Sequence, residues 1–204
     1  MEFLVAMTTH VPDGTPTDAV DEVRAREAAR SRELARDGQL LRLWRPPLGP
    51  GEWRTLGLFA ATDDDSLEEG LASMPLRVWR SDEVTPLSPH PNDPALAGIT
   101  AEDRPSSEFL IAMTITVPPG TSAHVVDDTM SREASRAREL AAQGHLVRLW
   151  ALPGSPDSRR TLGLWCAQDA AEMAAIVAAL PLYAWMTVES TPLTEHPNDP
   201  ARQS

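Results

Sequence analysis

The sequence predicts an α+β fold written twice, one βαββαβ unit followed by a second of the same kind. Three observations carry this. First, sliding the chain by 106 residues lays EFLVAMT at Glu2 on EFLIAMT at Glu108, GQLLRLW at Gly38 on GHLVRLW at Gly144, and HPNDPA at His90 on HPNDPA at His196. The register never slips, and about half of the aligned positions are identical; a period this long is one compact domain per copy, too long for a solenoid repeat. Second, each copy switches between alternating strand patterns and a longer helical pattern in a fixed order. Third, at 204 residues, 42% hydrophobic and 24% charged, the composition is that of a globular protein able to bury a core in each half.

The elements follow in order. Phe3 to His10 alternates and stops at the turn signal Val11-Pro12-Asp13-Gly14. Thr17 or Asp18 caps a long helix from about Ala19 to Asp37, which Gly38 terminates. Leu40–Arg45 and Thr55–Ala61 are β-rich runs joined by a proline- and glycine-containing loop, so they form a hairpin. Asp63, Asp64 and Asp65 offer caps for a second helix ending near Met74-Pro75. Arg77–Val84 is a final strand, followed by a proline-rich tail from Thr85 to Pro94. This order is the ferredoxin-like plan, an antiparallel sheet with helices on one face. Its bare sheet face needs a cover, and the other copy is the expected one, giving a pseudo-dimer of dimeric α+β barrel type. The expected domains are residues 1–94 and 108–204, joined by a small, polar linker at 95–107.

Composition narrows the setting. No apolar run approaches the roughly 20 residues that span a bilayer, and MEFLVAM runs straight into the repeat with no expected leader. The single Cys166 stands where the first copy has Ala60, which excludes a disulfide framework and suits a cytoplasmic location. A net charge of -12 argues against nucleic acid as a partner. No metal-ligand spacing, phosphate loop, nucleophile elbow or dinucleotide fingerprint occurs, so no metal and no cofactor are expected.

Candidate site residues are those kept in both copies. On the long helix, Val20, Val23, Glu27, Ser31 and Leu34 share a stripe, repeated by Val126, Thr129, Glu133, Ala137 and Leu140. A carboxylate amid apolar neighbours is costly to bury, and burial raises its pKa toward the range of proton transfer at neutral pH. The bland alternative is a surface pair of Glu27 with Arg30, or Glu133 with Arg136. Arg42 and Arg148 alternate with apolar strand neighbours and could receive a carboxylate, or simply face solvent. Trp44, Trp150, Trp79 and Trp185 could wall a pocket, or be plain core. His90 and His196, in the proline-rich tails, could donate to an anion or shuttle a proton, or merely pin the tails.

Taken in order, these residues resemble the muconolactone isomerase family. The set is the opening FLVAMT strand and Pro12, Glu27, Gly38 with LRLWR, Met74-Pro75-Leu76, Glu83, Pro86-Leu87 and His90-Pro91, matched in the second copy by Glu133, Gly144, Leu149, Trp150, Pro181, Leu182, Glu189, Leu193, His196 and Pro197. The resemblance implies an enzyme, a cofactor-free isomerase that shifts a double bond in an unsaturated lactone, in the family reaction from (+)-muconolactone to the 3-oxoadipate enol-lactone of aromatic degradation. It implies Glu27 and Glu133 as the base, with Arg42, His90, Arg148 or His196 stabilising the oxyanion or binding the acetate arm of a small-molecule substrate. Family members are usually single-domain chains assembled into rings of dimers, so the tandem form departs from the pattern while leaving a homo-oligomer of pseudo-dimers as an expectation. Arg77-Val78-Trp79 and Tyr183-Ala184-Trp185 depart from it too, in a pocket-wall region. Two alternatives stand beside it: a cofactor-independent cyclase, isomerase or oxygenase tailoring a polyketide-like natural product, and a non-catalytic binding or assembly module. Differences between the copies, Val23 against Thr129 and Glu52-Trp53 against Ser158-Arg159, predict unequal pockets.

Overall fold

A computed structural model describes residues 1–101, 103–154 and 159–202. Glu102 of the expected linker, Ser158 of the contrasted loop and the last two residues of the second expected domain lie outside the described residues. The fold class is α+β, with a ferredoxin-like half in each of two compact units. The first unit comprises Met1–Leu87 together with Thr194–Ser204, and the second comprises Ser88–Leu193.

In the first unit, β1 (Glu2–Thr9), α1 (Thr17–Arg36), β2 (Leu40–Arg45), β3 (Arg54–Ala60), α2 (Asp64–Ala72) and β4 (Arg80–Pro89) follow one another. Strand β1 is central, pairing antiparallel with β3 on one side (Val5 opposite Gly57) and with β4 on the other (Val5 opposite Val84), and β3 carries β2 beyond it. Phe3, Val5, Met7 and Thr9 alternate inward on β1, and the first three meet Leu34, Leu67 and Leu71 from the helices. The second unit repeats this with β5 (Ser107–Ile115), α3 (Ala123–Ala142), β6 (Leu146–Ala151), β7 (Arg159–Ala167), α4 (Ala170–Ala178) and β8 (Met186–Glu195). Close approach fixes a glycine in each hairpin. A Cβ at Gly163 would overlap the Trp165 indole, and one at Gly57 would overlap the Phe59 ring, because each ring folds back over its own strand.

Several boundaries differ from the sequence reading. Helix α1 starts at Thr17, with Pro16 at its N-cap and no side-chain cap bond. After α2, Pro75–Trp79 forms a 3-10 turn, so β4 begins at Arg80 and runs through Pro86 to Pro89, well into the expected tail. The reason is local: Pro75 starts the turn, and the turn presents the Leu76 N–H inward, where it is used by a buried side chain described below.

The tails depart most from the expected one-domain-per-copy division. The last residues of β4, Ser88 and Pro89, pair with β6 inside the second unit, whereas Thr194 and Glu195 of β8 pair with β2 inside the first. Each repeat's tail thus completes the other compact unit. The linker stretch is also more structured than its composition suggests. Pro94–Ala97 is a 3-10 turn, Ile99 packs on the second unit's core, and the Asp103 carbonyl sits 2.6 Å from where a Gly144 Cβ would be.

Candidate active site

Helix α1 places Glu27 on its buried face with Val23, Ser31 and Leu34, as the stripe requires. The carboxylate is 8% exposed and does not pair with Arg30, which turns instead to Glu33 at 2.8 Å and to Ser73. Its Oε2 accepts the Leu76 N–H at 2.8 Å and its Oε1 lies 3.2 Å from Arg80 Nη1. Arg80 is held in turn by Asp82, with Nη2 donating to Oδ2 at 3.0 Å. Its Nε stands 2.6 Å from Oδ1, an ion-pair contact not aligned as a hydrogen bond. Arg77 braces Asp82 from outside and reaches Glu68 at 2.6 Å. Burial raises the Glu27 pKa above the usual carboxylate value, opposed by the Leu76 N–H and by Arg80 and reinforced by Asp82.

Glu27 lines a cavity of about 340 Å³, with Met7, Thr9, Ser31, Leu43 and Thr55 among its walls and three arginines, Arg24, Arg45 and Arg80. Arg24 lies over the Trp53 ring at 4.4 Å, and both side chains face the cavity. His196 completes it, carried by the tail that belongs to this unit. The Nδ1 of His196 accepts the Asn198 N–H at 3.2 Å, so the neutral ring carries its proton on Nε2. Burial first, and Arg45 second, lower the His196 pKa from 6.5 to about 4 against the opposing pull of Asp199. At neutral pH this is an uncharged imidazole with one N–H to donate.

The second unit keeps this pair in different surroundings. Glu133 is half-buried, accepts the Leu182 N–H at 3.0 Å, and shares a cavity with His90, whose Nδ1 accepts the Asn92 N–H at 3.1 Å. Burial raises the pKa of Glu133 against that single hydrogen bond, and lowers that of His90, with Asp93 opposing and Arg159 assisting. The cavity measures about 90 Å³. The histidine paired with each glutamate therefore comes from the other repeat: Glu27 with His196, and Glu133 with His90.

The other expected site residues are deployed elsewhere. Arg42 grips Asp199, with Nε 3.2 Å from both carboxylate oxygens and Nη2 3.1 Å from Oδ2, and stacks 4.8 Å over Trp44. Arg148 does the same to Asp93 and Trp150. Neither arginine lines its unit's cavity; both hold the tails that carry the histidines. Trp44 and Trp150 are core residues, each 1% exposed. Trp79 and Trp185 are half-buried at the ends of 3-10 turns, where their carbonyls accept the His10 and Thr116 N–H groups. For Arg42 and Trp44 the cause is a register shift between Leu40 and Arg42, repeated between Leu146 and Arg148 in the second unit. The bulge turns Leu43 and Arg45 to the cavity, where simple alternation from Leu40 would have sent Arg42 and Trp44. The adjacent Leu40-Leu41 pair, which breaks alternation, is its trace in the sequence.

Arg24, Arg45, Arg80, Asp82 and Trp53 are absent from the sequence-based candidates because those are positions kept in both copies. Their counterparts are Met130, Ala151, Met186, Val188 and Arg159. Among the described residues no cluster of His, Cys, Asp and Glu is arranged to hold a metal, and no helix is long and apolar enough to cross a membrane.

On a ferredoxin-like α+β half, a buried carboxylate of raised pKa and a neutral imidazole thus line one cavity. The chain belongs to the muconolactone delta-isomerase family, whose model matches residues 1–93 and 107–199. Muconolactone Delta-isomerase 1 of Acinetobacter lwoffii is 35% identical over 92 residues, which is 45% of this chain and 93% of that protein. The Muconolactone Delta-isomerase of Acinetobacter baylyi is 32% identical with the same coverage. Over the whole chain the fold resembles a heme-binding protein from Thermus thermophilus, at TM-score 0.61 and 13% identity, covering 100% of this chain and 95% of that one. It also resembles a mutant chlorite dismutase from Candidatus Nitrospira defluvii, at TM-score 0.60 and 14% identity, covering 96% and 92%. At such identities these two likenesses speak for the fold alone.

Proposed function

We propose that the first unit isomerises an unsaturated lactone bearing a carboxylate arm, of the muconolactone type, by proton transfer through Glu27. The observation that carries this is the meeting of Glu27, His196 and three arginines in one cavity of about 340 Å³, a size within the roughly 300–1,000 Å³ of small-molecule sites. Glu27 removes the proton on the ring carbon that bears the arm, made acidic by conjugation through the ring double bond to the lactone carbonyl. The electron pair moves into a dienolate, and the proton returns to the carbon beside the carbonyl, leaving the double bond shifted and the atoms unchanged. The raised pKa of Glu27 suits it to take and return the same proton. Arg80 and the Leu76 N–H hold the carboxylate in one orientation. The Nε2–H of His196 donates to the developing enolate oxygen, and being uncharged it does so without giving its proton away. Arg45, beside His196 on the cavity wall, and Arg24 on the Trp53 ring receive the carboxylate arm.

The test is turnover of (+)-muconolactone followed by absorbance. Glu27→Gln is expected to reduce kcat about a hundredfold or more, the usual size of a general-base contribution. Arg45→Gln is expected to act mainly on KM. Unchanged turnover in Glu27→Gln would remove the base and with it the mechanism.

A further inference from the structure

The two cavities share their glutamate and histidine but differ in the charged and polar side chains around that pair. Where the first is lined by Thr9, Arg24, Ser31 and Arg80, the second has Ile115, Met130, Ala137 and Met186. Val188 stands in place of Asp82, so the whole buried ion-pair group around Glu27 is replaced by apolar side chains. Yet Glu133, His90, Asn92 and Thr161 stand at the positions of Glu27, His196, Asn198 and Thr55, each facing its cavity as its counterpart does. The backbone bonds that set the carboxylate and the imidazole tautomer are also the same. The cation on this wall, Arg159, is exposed, with Nη1 3.7 Å from Met130 Sδ.

We infer that the second unit is a separate site that takes an uncharged, compact unsaturated lactone or enone lacking a carboxylate arm, and shifts its double bond with Glu133 and His90. Two independent features set the substrate class. At the positions of Arg24 and Arg45 the second unit has Met130 and Ala151, so an anionic arm would be desolvated against methionine, isoleucine and alanine, with the exposed Arg159 the one cation among the described lining residues. The volume, about 90 Å³ against about 340 Å³ in the first cavity, favours a single small ring without a side arm. Three of its walls are methionines, Met113, Met130 and Met186, whose unbranched side chains repack around a single small ring. The reaction balances internally: Glu133 takes the proton from the carbon beside the carbonyl of a β,γ-unsaturated ring, the dienolate forms against the His90 Nε2–H, and the proton returns at the far end of the conjugated system.

This inference rests on reading the Glu–His pair as proton-transfer equipment, and its test separates it from the first unit's assignment. The full chain is assayed in parallel on (+)-muconolactone and on α-angelica lactone, a methyl-substituted enol-lactone without a carboxylate. The readout is the ratio of the two rates. Glu133→Gln should lower the α-angelica rate relative to muconolactone by about tenfold or more, and Glu27→Gln should move the ratio the opposite way. Ala137→Leu, which fills the second cavity and leaves Glu133 in place, should repeat the Glu133→Gln result and guards against misfolding of that variant. If both lactones are turned over and Glu133→Gln and Ala137→Leu leave the ratio unchanged, the inference is overturned while the assignment of Glu27 stands. If muconolactone is untouched but α-angelica lactone is isomerised in a Glu133-dependent manner, the first unit's assignment fails and the second unit's holds. If α-angelica lactone is not isomerised at all, the inference fails.

Discussion

The buried ion-pair group around Glu27 can be dissected with the protein's own second copy as the template. In Arg80→Met, which introduces the residue found at position 186 of the second copy, the Glu27 and Asp82 carboxylates lose a cation whose side chain is 2% exposed. The Asp82 side chain is itself 3% exposed and keeps its contact with Arg77. Removing one partner of such a group typically costs about 3–5 kcal/mol, because the charges left behind are desolvated and uncompensated. For a chain of this size each kcal/mol lowers the melting temperature by about 2–4 °C, so a fall of roughly 10 °C is expected. Arg80→Met with Asp82→Val reproduces the second copy at both positions. It leaves Glu27 as Glu133 is, held by one backbone N–H, and should return to within about 1–2 kcal/mol of the parent, since replacing a buried ion pair by apolar side chains is close to neutral. The coupling between the two substitutions should therefore exceed about 2 kcal/mol. Urea and thermal denaturation of the four proteins measure it, and simple additivity would refute the reasoning. The pH dependence has a definite sign. Glu27 has a folded pKa above its unfolded value, so the folded state holds the extra proton between the two, and stability is lost as pH rises through the folded pKa. Arg80→Met removes an influence that lowers that pKa. The loss should then occur at higher pH, together with the acid limb of kcat/KM for the first unit.

Two further outcomes follow from the tails. Asp199, fully buried, accepts the Leu43 N–H at 3.1 Å as well as the Arg42 fork, so Asp199→Ala should destabilise by about 3–5 kcal/mol in a thermal melt and also lower kcat/KM by loosening the segment that carries His196; an unchanged melt would contradict the clamp. His196 titrates at about 4 when folded against 6.5 for the free side chain, so the unfolded state alone takes the proton between these values. Stability should fall as pH drops from about 6.5 toward 4, and His196→Gln should flatten that slope in denaturation curves taken across the range.

What the sequence determined alone was whatever a single stretch of chain carries by itself. The gapless repeat set the two halves. Alternation at Phe3, Val5 and Met7 set the first strand, and the helical stripe set Glu27 among apolar neighbours, leaving burial and a surface pair with Arg30 both open. The Arg42 and Trp44 placements went astray because a bulge between Leu40 and Arg42 inverts the faces of β2, and one extra residue in a strand changes every inward position after it. The tertiary structure decided which distant groups meet. Glu27 finds Arg80 across 53 residues of sequence, and Arg42 finds Asp199 across 157. The histidine facing each glutamate arrives on the other repeat's tail, because β4 and β8 run past their own units and pair onward. Local pattern fixes which side chains turn inward, through the periods of helix and strand. Which charges and donors they then face depends on chain segments brought together only when the sheets pair, and positions such as Arg80 and Met186, where the two copies differ, carry no periodic signal of that meeting.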